Sequence, residues 1–419
     1  MGSGGIEYER LVLPLKLACQ AFSCWPYTIH PLYQAFVLVG LLTWVSSCTA
    51  ELPMLLAGDD VNRTIEASLI TLASYMTVVR FLLFSLRREE MLYVLEVMRC
   101  DWTSVQDNAE DARLLISKTL GTFRLSKLFM LNTFIAGLAF AVLPALELEN
   151  CSGEVAEARL GTDARAEQPL QACVKRAAQQ AFLAGGDGRA GVLPFGGRYF
   201  FNHTRSGSVY AATYAGNALV GGIGCSTIAG ATCFSLITTI HASAKFALVR
   251  RHFESISHAE WMGRSTGKFR LCVREHQQCI KFAETVERII NLLALAQFVV
   301  STGLLCFAGF QMTMMLKDRA RLTKYGSFLN AAVCELFIFS YSGQRLKSES
   351  QAVADFAQLT NWVGAYRKSV DIQIVIMRAS KACTITAAKF YDMTLEAFLK
   401  VLSSSFSYFS VLVAKQDDS

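Results

Sequence analysis

The chain has 419 residues, 53% of them hydrophobic and 18% charged, with a mean hydropathy of +0.33. Soluble proteins carry nearer a quarter charged residues, so a water-soluble multidomain protein is excluded and a polytopic membrane protein is expected. The net charge of +6 is spread between apolar runs instead of gathered on a polar domain, which sets nucleic acid aside as a partner.

Thirteen cysteines lie scattered without C-x-x-C pairs or Cys/His clusters, so neither a metal site nor a small disulfide scaffold is indicated. His203, His241, His252, His258 and His276 fall in different loops or at span ends without ligand spacing, and read as surface histidines. With no glycine-rich phosphate loop and no nucleophile elbow, no enzyme activity and no cofactor are expected.

In chain order, Met1–Gly5 carries no structural expectation. From Ile6 to His30 the prolines Pro14 and Pro26 predict a broken, interfacial or re-entrant lead-in, with Pro31 at its end. Seven apolar segments follow: Leu32–Cys48, Ala67–Leu86, Leu128–Leu146, Val209–Ala242, Ile289–Leu316, Ser327–Gly343 and Met393–Val413. Each approaches or exceeds the roughly twenty residues a helix needs to cross the hydrocarbon. The sixth is the shortest and carries Glu335; Arg80 in the second reads as a snorkelling residue. The fourth and fifth exceed a span and should project into water as helices.

The expected fold is therefore all-α, a polytopic membrane protein with seven transmembrane helices. The sequons at Asn62, Asn150 and Asn202 all fall in the first or third connecting loop, which should be extracellular. Lys and Arg outside the spans favour the amino-terminal side, so both signals place the amino terminus in the cytoplasm and the carboxy terminus outside. The expected organisation is a cytoplasmic lead-in at 1–31, spans one to six at 32–343, cytoplasmic linker helices at 344–392, and the last span with an extracellular tail at 393–419.

The outer loop Glu147–Ser208, rich in Ala, Gly and Arg, is expected to be partly mobile, with Cys151 and Cys173 able to pair on the oxidising side. The cytoplasmic stretches Arg87–Lys127 and Lys245–Arg288 read as continuations of the membrane helices. Gln344–Asp392 is similar, with an apolar stripe of Phe356, Leu359, Trp362 and Val363 that needs either the membrane surface or another subunit to pack on.

On the last span, Lys400, Ser403, Ser404, Ser407, Val411 and Ala414 share one arc, while Phe398, Leu402, Phe406, Phe409 and Val413 lie opposite. The hydroxyl stripe reads as a pore wall; the alternative is that the serines bond back to carbonyls one turn earlier and pack against a neighbouring helix.

The carboxy-terminal third resembles the insect odorant receptor family. The resemblance rests on Glu335-Leu336-Phe337, Trp362, Thr386-Ala387-Ala388-Lys389-Phe390, Leu395, Phe398 and Ser407-Tyr408-Phe409. Ala388-Lys389 stands where the family commonly has Gly-Gly or Gly-x, which is similar to the co-receptor branch, although the long insertion of that branch between spans four and five is lacking. The gustatory receptors are near relatives whose usual ending Ser407–Lys415 does not complete.

What the resemblance implies is a non-selective cation channel opened by small volatile odorants. Four subunits, as a homotetramer or with an odorant co-receptor, would surround a central pore in the plasma membrane of a sensory dendrite. Val411 then sits at the hydrophobic gate and Ala414 at the filter position, and Lys400 on the same face either sits where the pore has widened or turns to meet a partner such as Glu396 across subunits. A G-protein-coupled receptor is disfavoured by the side of the sequons, and a small-solute transporter would more naturally show paired broken spans or a buried carboxylate couple at the midplane, of which Glu335 alone is a hint.

A volatile ligand must bind mainly by burying apolar area, so aromatic and small residues in the outer halves of the spans are the candidates. These are Tyr75, Met76, Phe134, Gly137, Phe140, Tyr210, Tyr214, Asn217, Phe328 and Ala332. The stretch Gly216–Gly230 would let helices approach closely or leave a cavity between them.

Overall fold

A computed structural model describes residues 3–56, 61–160, 193–201, 206–262, 267–314, 319–359, 362 and 369–417. Eleven α-helices are described: α1 (Ser3–Ala21), α2 (Pro31–Leu56), α3 (Val61–Leu86), α4 (Arg88–Ser104), α5 (Ala109–Leu160), α6 (Gly207–Glu254), α7 (His258–Met262), α8 (Gly267–Met314), α9 (Arg319–Leu359), α10 (Ser369–Ser380) and α11 (Leu395–Asp417). The fold is all-α with seven membrane-spanning helices; α2, α3, α5, α6 and α8 contain stretches long and apolar enough to cross a bilayer by length and composition. The sixth and seventh predicted spans lie in α9 and α11.

α6 has 48 residues, which at 1.5 Å per residue is about twice the hydrocarbon thickness. The excess forms an anchor edged by ion pairs with the ends of α5, α8 and α9. Glu349 on α9 takes Lys118 from α5 at 2.5 Å and Arg250 from α6 at 3.1 Å. His252, well past the end of the fourth span, bonds Glu275 at 2.6 Å and Asp111 at 3.1 Å. These carboxylates hold its pKa up at about 9 against the opposing effect of burial.

Several expectations are corrected. Pro14 does not break the lead-in: α1 runs through it and buries Leu11, Leu15 and Cys19 in the main core, so packing outweighs the lost backbone bond. The helix is interrupted for one residue at Arg87 (φ −97°, ψ 22°), so α3 and α4 are separate elements, whereas 109–127, 245–254 and 267–288 do continue α5, α6 and α8. The sixth span and the first part of the linker are one helix, α9, which buries Leu346, Val353, Ala354 and Ala357, not the expected stripe; Leu359 is 77% exposed. Phe356 stacks under the Arg250 guanidinium at 4.6 Å, Trp362 is partly buried on the core, and Val363 lies outside the described residues.

Nor are the histidines all superficial. His241 is fully buried against Asp101 at 2.9 Å, His276 is 4% exposed, and His252 is half-buried; His258 is exposed and His203 lies outside the described residues. Asp101 also takes Lys245 at 2.6 Å.

Between α10 and α11, Thr386–Ala387 pairs antiparallel with Tyr391–Asp392 around a tight turn. Ala388 and Lys389 occupy it at φ 47° and 68°, the left-handed region that glycine enters without steric cost. The Lys389 ammonium reaches Glu287 at 2.6 Å, which ties the turn to α8.

Candidate functional site

Two features combine the residue types that the sequence singles out: a cavity inside the helix bundle and the exposed face of α11. The cavity, of about 100 Å³, lies between α3, α5, α6, α8 and α9. Its walls are apolar, with Leu69, Met76, Ala136, Phe140, Val300, Leu304, Phe328 and Ala332 among them. Gly221 and Gly224 of α6 keep the near wall open.

One end is closed by the strap 193–201, which folds back into the bundle. Phe195 stacks on Phe140 with ring centres 5.7 Å apart and planes 4° from parallel, and meets Trp44 edge-on at 5.9 Å. A Cβ on Gly221 would stand 2.0 Å from the Phe195 ring, so only glycine admits the aromatic plug there. The strap backbone is held at four points. The Asn217 side chain takes the Phe195 N–H at 3.0 Å and gives to the Gly196 carbonyl at 3.3 Å. The Gly197 N–H donates to Glu51 Oε2 at 2.8 Å and the Arg198 N–H to the Ser47 carbonyl at 2.9 Å. Gly197 lies at φ 106°, beside Ser47.

The same end carries an ion pair on an aromatic cushion. Lys324 Nζ bonds Glu66 Oε1 at 2.7 Å and lies 4.6 Å over the Phe140 ring, where the ring's negative face attracts the cation.

The opposite end is a buried polar knot. Arg80 Nη2 donates to Glu335 Oε1 at 2.8 Å and to the Gln297 carbonyl oxygen. Gln297 Nε2 gives to Glu335 Oε2 at 2.9 Å and to Ser301 Oγ at 2.8 Å, and the Thr232 hydroxyl gives to Glu335 Oε1 at 3.0 Å. The expected snorkelling role of Arg80 is thus corrected: its partner is a carboxylate in the bundle, and the residue is 4% exposed. A buried charge persists when it is paired and hydrogen-bonded in this way.

Of the residues expected to hold a ligand, Met76, Gly137, Phe140, Phe328 and Ala332 meet around this cavity. The others do not. Tyr75 is 48% exposed with its hydroxyl 3.2 Å from that of Thr49, and Phe134 is 39% exposed. Tyr210 and Tyr214 pair with each other at 5.9 Å, the Tyr214 hydroxyl donating to the Ala141 carbonyl. Asn217 lines a shallower neighbouring depression and serves the strap.

Sequence reasoning missed Trp44, Phe195, Arg80 and Gln297 as wall residues. The one signal for Phe195 is Leu193-Pro194-Phe195-Gly196-Gly197, an apolar turn within a loop otherwise rich in Ala, Gly and charge.

On α11 the packing side is Ala397, Val401 and Ser405, whose carbonyl accepts from Cys306 Sγ at 3.5 Å; Phe398 meets Phe337 edge-on at 5.7 Å. Ser403, Ser404 and Ser407 are exposed on the other side, as is Ser410. The Ser407 hydroxyl donates to the Ser403 carbonyl at 3.0 Å and Ser410 to the Phe406 carbonyl at 2.9 Å, so the back-bonding occurs without turning the stripe inward. Two expectations change here. Phe406 is 68% exposed and flanks the serines, and Lys400 pairs with Glu396 of its own helix at 2.6 Å, one turn away. The side chains of Val411 and Ala414 lie outside the described residues, as do those of Asn62, Asn150 and Cys151 and the whole of Cys173 and Asn202.

Comparison with known proteins shows what the chain as a whole is similar to. The sequence profile of the family described as 7tm Odorant receptor matches residues 172–406. Putative odorant receptor 92a of Drosophila melanogaster is 29% identical over 138 residues, 33% of this chain and 33% of that protein. The odorant receptor coreceptor of Aedes aegypti is 30% identical over 159 residues, 37% of this chain and 32% of its own. The chain thus spans about a third of the length of the curated relatives it matches. Among solved structures, the insect olfactory receptor OR5 from Machilis hrabei superposes with a TM-score of 0.71 at 11% identity, covering 97% of this chain and 98% of that one. The same receptor in complex with eugenol gives 0.70 at 12%, covering 98% of each.

Proposed function

Because this chain belongs to the insect odorant receptor family, we propose that it binds a small volatile organic molecule in the cavity beneath Phe195 and responds by opening a non-selective cation pathway lined by α11. The observation that supports this reading is the pairing of a largely apolar cavity under Phe195 with a terminal helix whose hydroxyl edge is left exposed by the described residues. An apolar cavity of this kind gains affinity from area removed from water, at about 25 cal/mol per Å², and suits a volatile ligand.

Leu399 and Phe406 are 63% and 68% exposed beside the serines, an arrangement that suits packing against other copies of α11. Four copies around one axis, alone or with an odorant co-receptor, would turn Ser403, Ser404 and Ser407 toward water and permeant cations, with Val411 as an apolar constriction and Ala414 as a wide outer ring. The amino terminus would lie in the cytoplasm of a plasma-membrane receptor, with Asn62, Asn150 and Asn202 outside as glycosylation sites. The transporter alternative loses its one hint, since Glu335 is paired with Arg80 instead of a second carboxylate.

Whole-cell recording from cells expressing this chain alone, then with a co-receptor, tests the proposal. Odorant-evoked cation current should survive removal of G-protein signalling, and cysteines placed at Ser403 and Ser407 should react with water-soluble thiol reagents. A response that disappears with G-protein signalling, or cysteines that stay inert in the stimulated protein, would refute the pore assignment.

A further inference from the structure

We propose that the preferred ligand of this cavity is a small neutral carbonyl compound, a ketone, aldehyde or ester, whose oxygen accepts the Arg80 Nε–H or the Trp44 indole N–H. This rests on the receptor reading above and narrows its ligand class.

Most of the donors on the cavity wall are already engaged. Glu335 has both oxygens engaged, by Arg80 and Thr232 on one and Gln297 on the other. Gln297 spends its amide on Ser301 and Glu335 and its oxygen on Arg80. The Thr77 and Thr133 hydroxyls donate to the Ala73 and Phe129 carbonyls at 3.0 and 2.9 Å. Glu66 is held by Lys324 at 2.7 Å, and two donors stand out: Arg80 Nε and Trp44 Nε1 are buried without a hydrogen-bond partner among the described residues, on residues 4% and 5% exposed that both line the cavity.

A buried N–H left unmade is costly, so a ligand that brings an acceptor relieves a penalty that a hydrocarbon leaves in place. The ligand should be neutral because the Arg80 charge is already balanced by Glu335 at 2.8 Å. A carboxylate would add an uncompensated charge to an apolar chamber.

The test uses two pairs matched in shape, C=O against C=CH2: cyclohexanone with methylenecyclohexane, and acetophenone with α-methylstyrene. Affinity for the purified full-length chain is read by ligand-dependent thermal shift and, in cells, by evoked current. Because the ketone and the alkene partition differently from water, the informative quantity is how their affinity ratio changes on mutation. Arg80→Lys keeps a cation for Glu335 and removes the Nε donor; Trp44→Phe removes the indole N–H and leaves the ion pair intact.

One of the two substitutions should lower the ketone-to-alkene ratio by about tenfold or more, the loss expected of one hydrogen bond from a buried donor. If Arg80→Lys does not fold, Trp44→Phe, read together with the charge-free pair Arg80→Gln/Glu335→Gln, which removes the Nε donor and both buried charges at once, carries the same comparison. An unchanged ratio in the folded variants, with both members of each pair still binding, overturns the ligand class and leaves the receptor reading standing. If no volatile compound shifts or opens the wild-type protein, the receptor reading falls first and this inference with it.

Discussion

Arg80 on α3 and Glu335 on α9 meet at 2.8 Å with 5% and 7% of their side chains exposed, joining two helices at the inner end of the cavity. Removing either partner leaves a buried charge alone. Glu335→Leu or Arg80→Met should each destabilise the chain by roughly 3–5 kcal/mol, whereas the double replacement should recover much of that loss. Thermal denaturation in detergent of the two single variants and the double variant measures the cycle.

Gly221 and Phe195 form the second testable contact. A methyl at position 221 must displace the plug, so Gly221→Ala should cost about 1–3 kcal/mol and loosen the strap. Limited proteolysis within 193–201 should accelerate. Combining it with Phe195→Ala should cost less than the sum of the two single changes, because the clash is gone.

At the hairpin before α11, Ala388 sits in the left-handed region at φ 47° while its N–H donates to the Asn291 carbonyl at 3.1 Å. Glycine removes the steric cost of that conformation at some cost in unfolded-chain entropy. Ala388→Gly should therefore stabilise the protein by about 0.5–1 kcal/mol, seen as a higher melting temperature with unchanged ligand response.

His252 gives the anchor a pH dependence of defined sign. Its carboxylate partners raise the folded pKa to about 9, above the ordinary value of about 6.5. The folded protein then keeps a proton that the unfolded chain has lost. Its contribution is complete below about pH 6.5 and disappears as pH rises through about 9. Denaturation at pH 6.5 and 9.5 should differ by about 1 kcal/mol after allowance for solvent screening, and His252→Gln should flatten the difference.

The seven spans were legible because twenty apolar residues in succession report on the bilayer as solvent, whatever packs beside them. The serine edge of α11 was legible for the same kind of reason, since spacing at 100° per residue locates a face without saying what covers it. What failed depends on distant neighbours. Arg80 looks like a lipid-facing cation until Glu335, 255 residues away in sequence, is brought beside it. His241 reads as superficial until Asp101 is placed 2.9 Å from it. Phe195 belongs to a loop whose composition suggests mobility, and only the glycine gap at 221 shows why one aromatic ring from that loop enters the bundle. Half of the expected ligand residues missed the cavity because outer-half location fixes depth along a helix but not which way a side chain is rotated.

α9 runs unbroken for 41 residues, from beside the chamber at Phe328 and Ala332, past the contact of Phe337 with Phe398 of α11, to Glu349 in the anchor. At 1.5 Å per residue that is a rod of about 60 Å. It contains no proline, and the pairs Gly326-Ser327 and Ser342-Gly343, on either side of the Phe328–Phe337 segment, are its places for a bend. The ring of Phe398 lies against its midpoint, so one continuous helix touches the chamber, the terminal helix and, at Glu349, the ion-paired anchor.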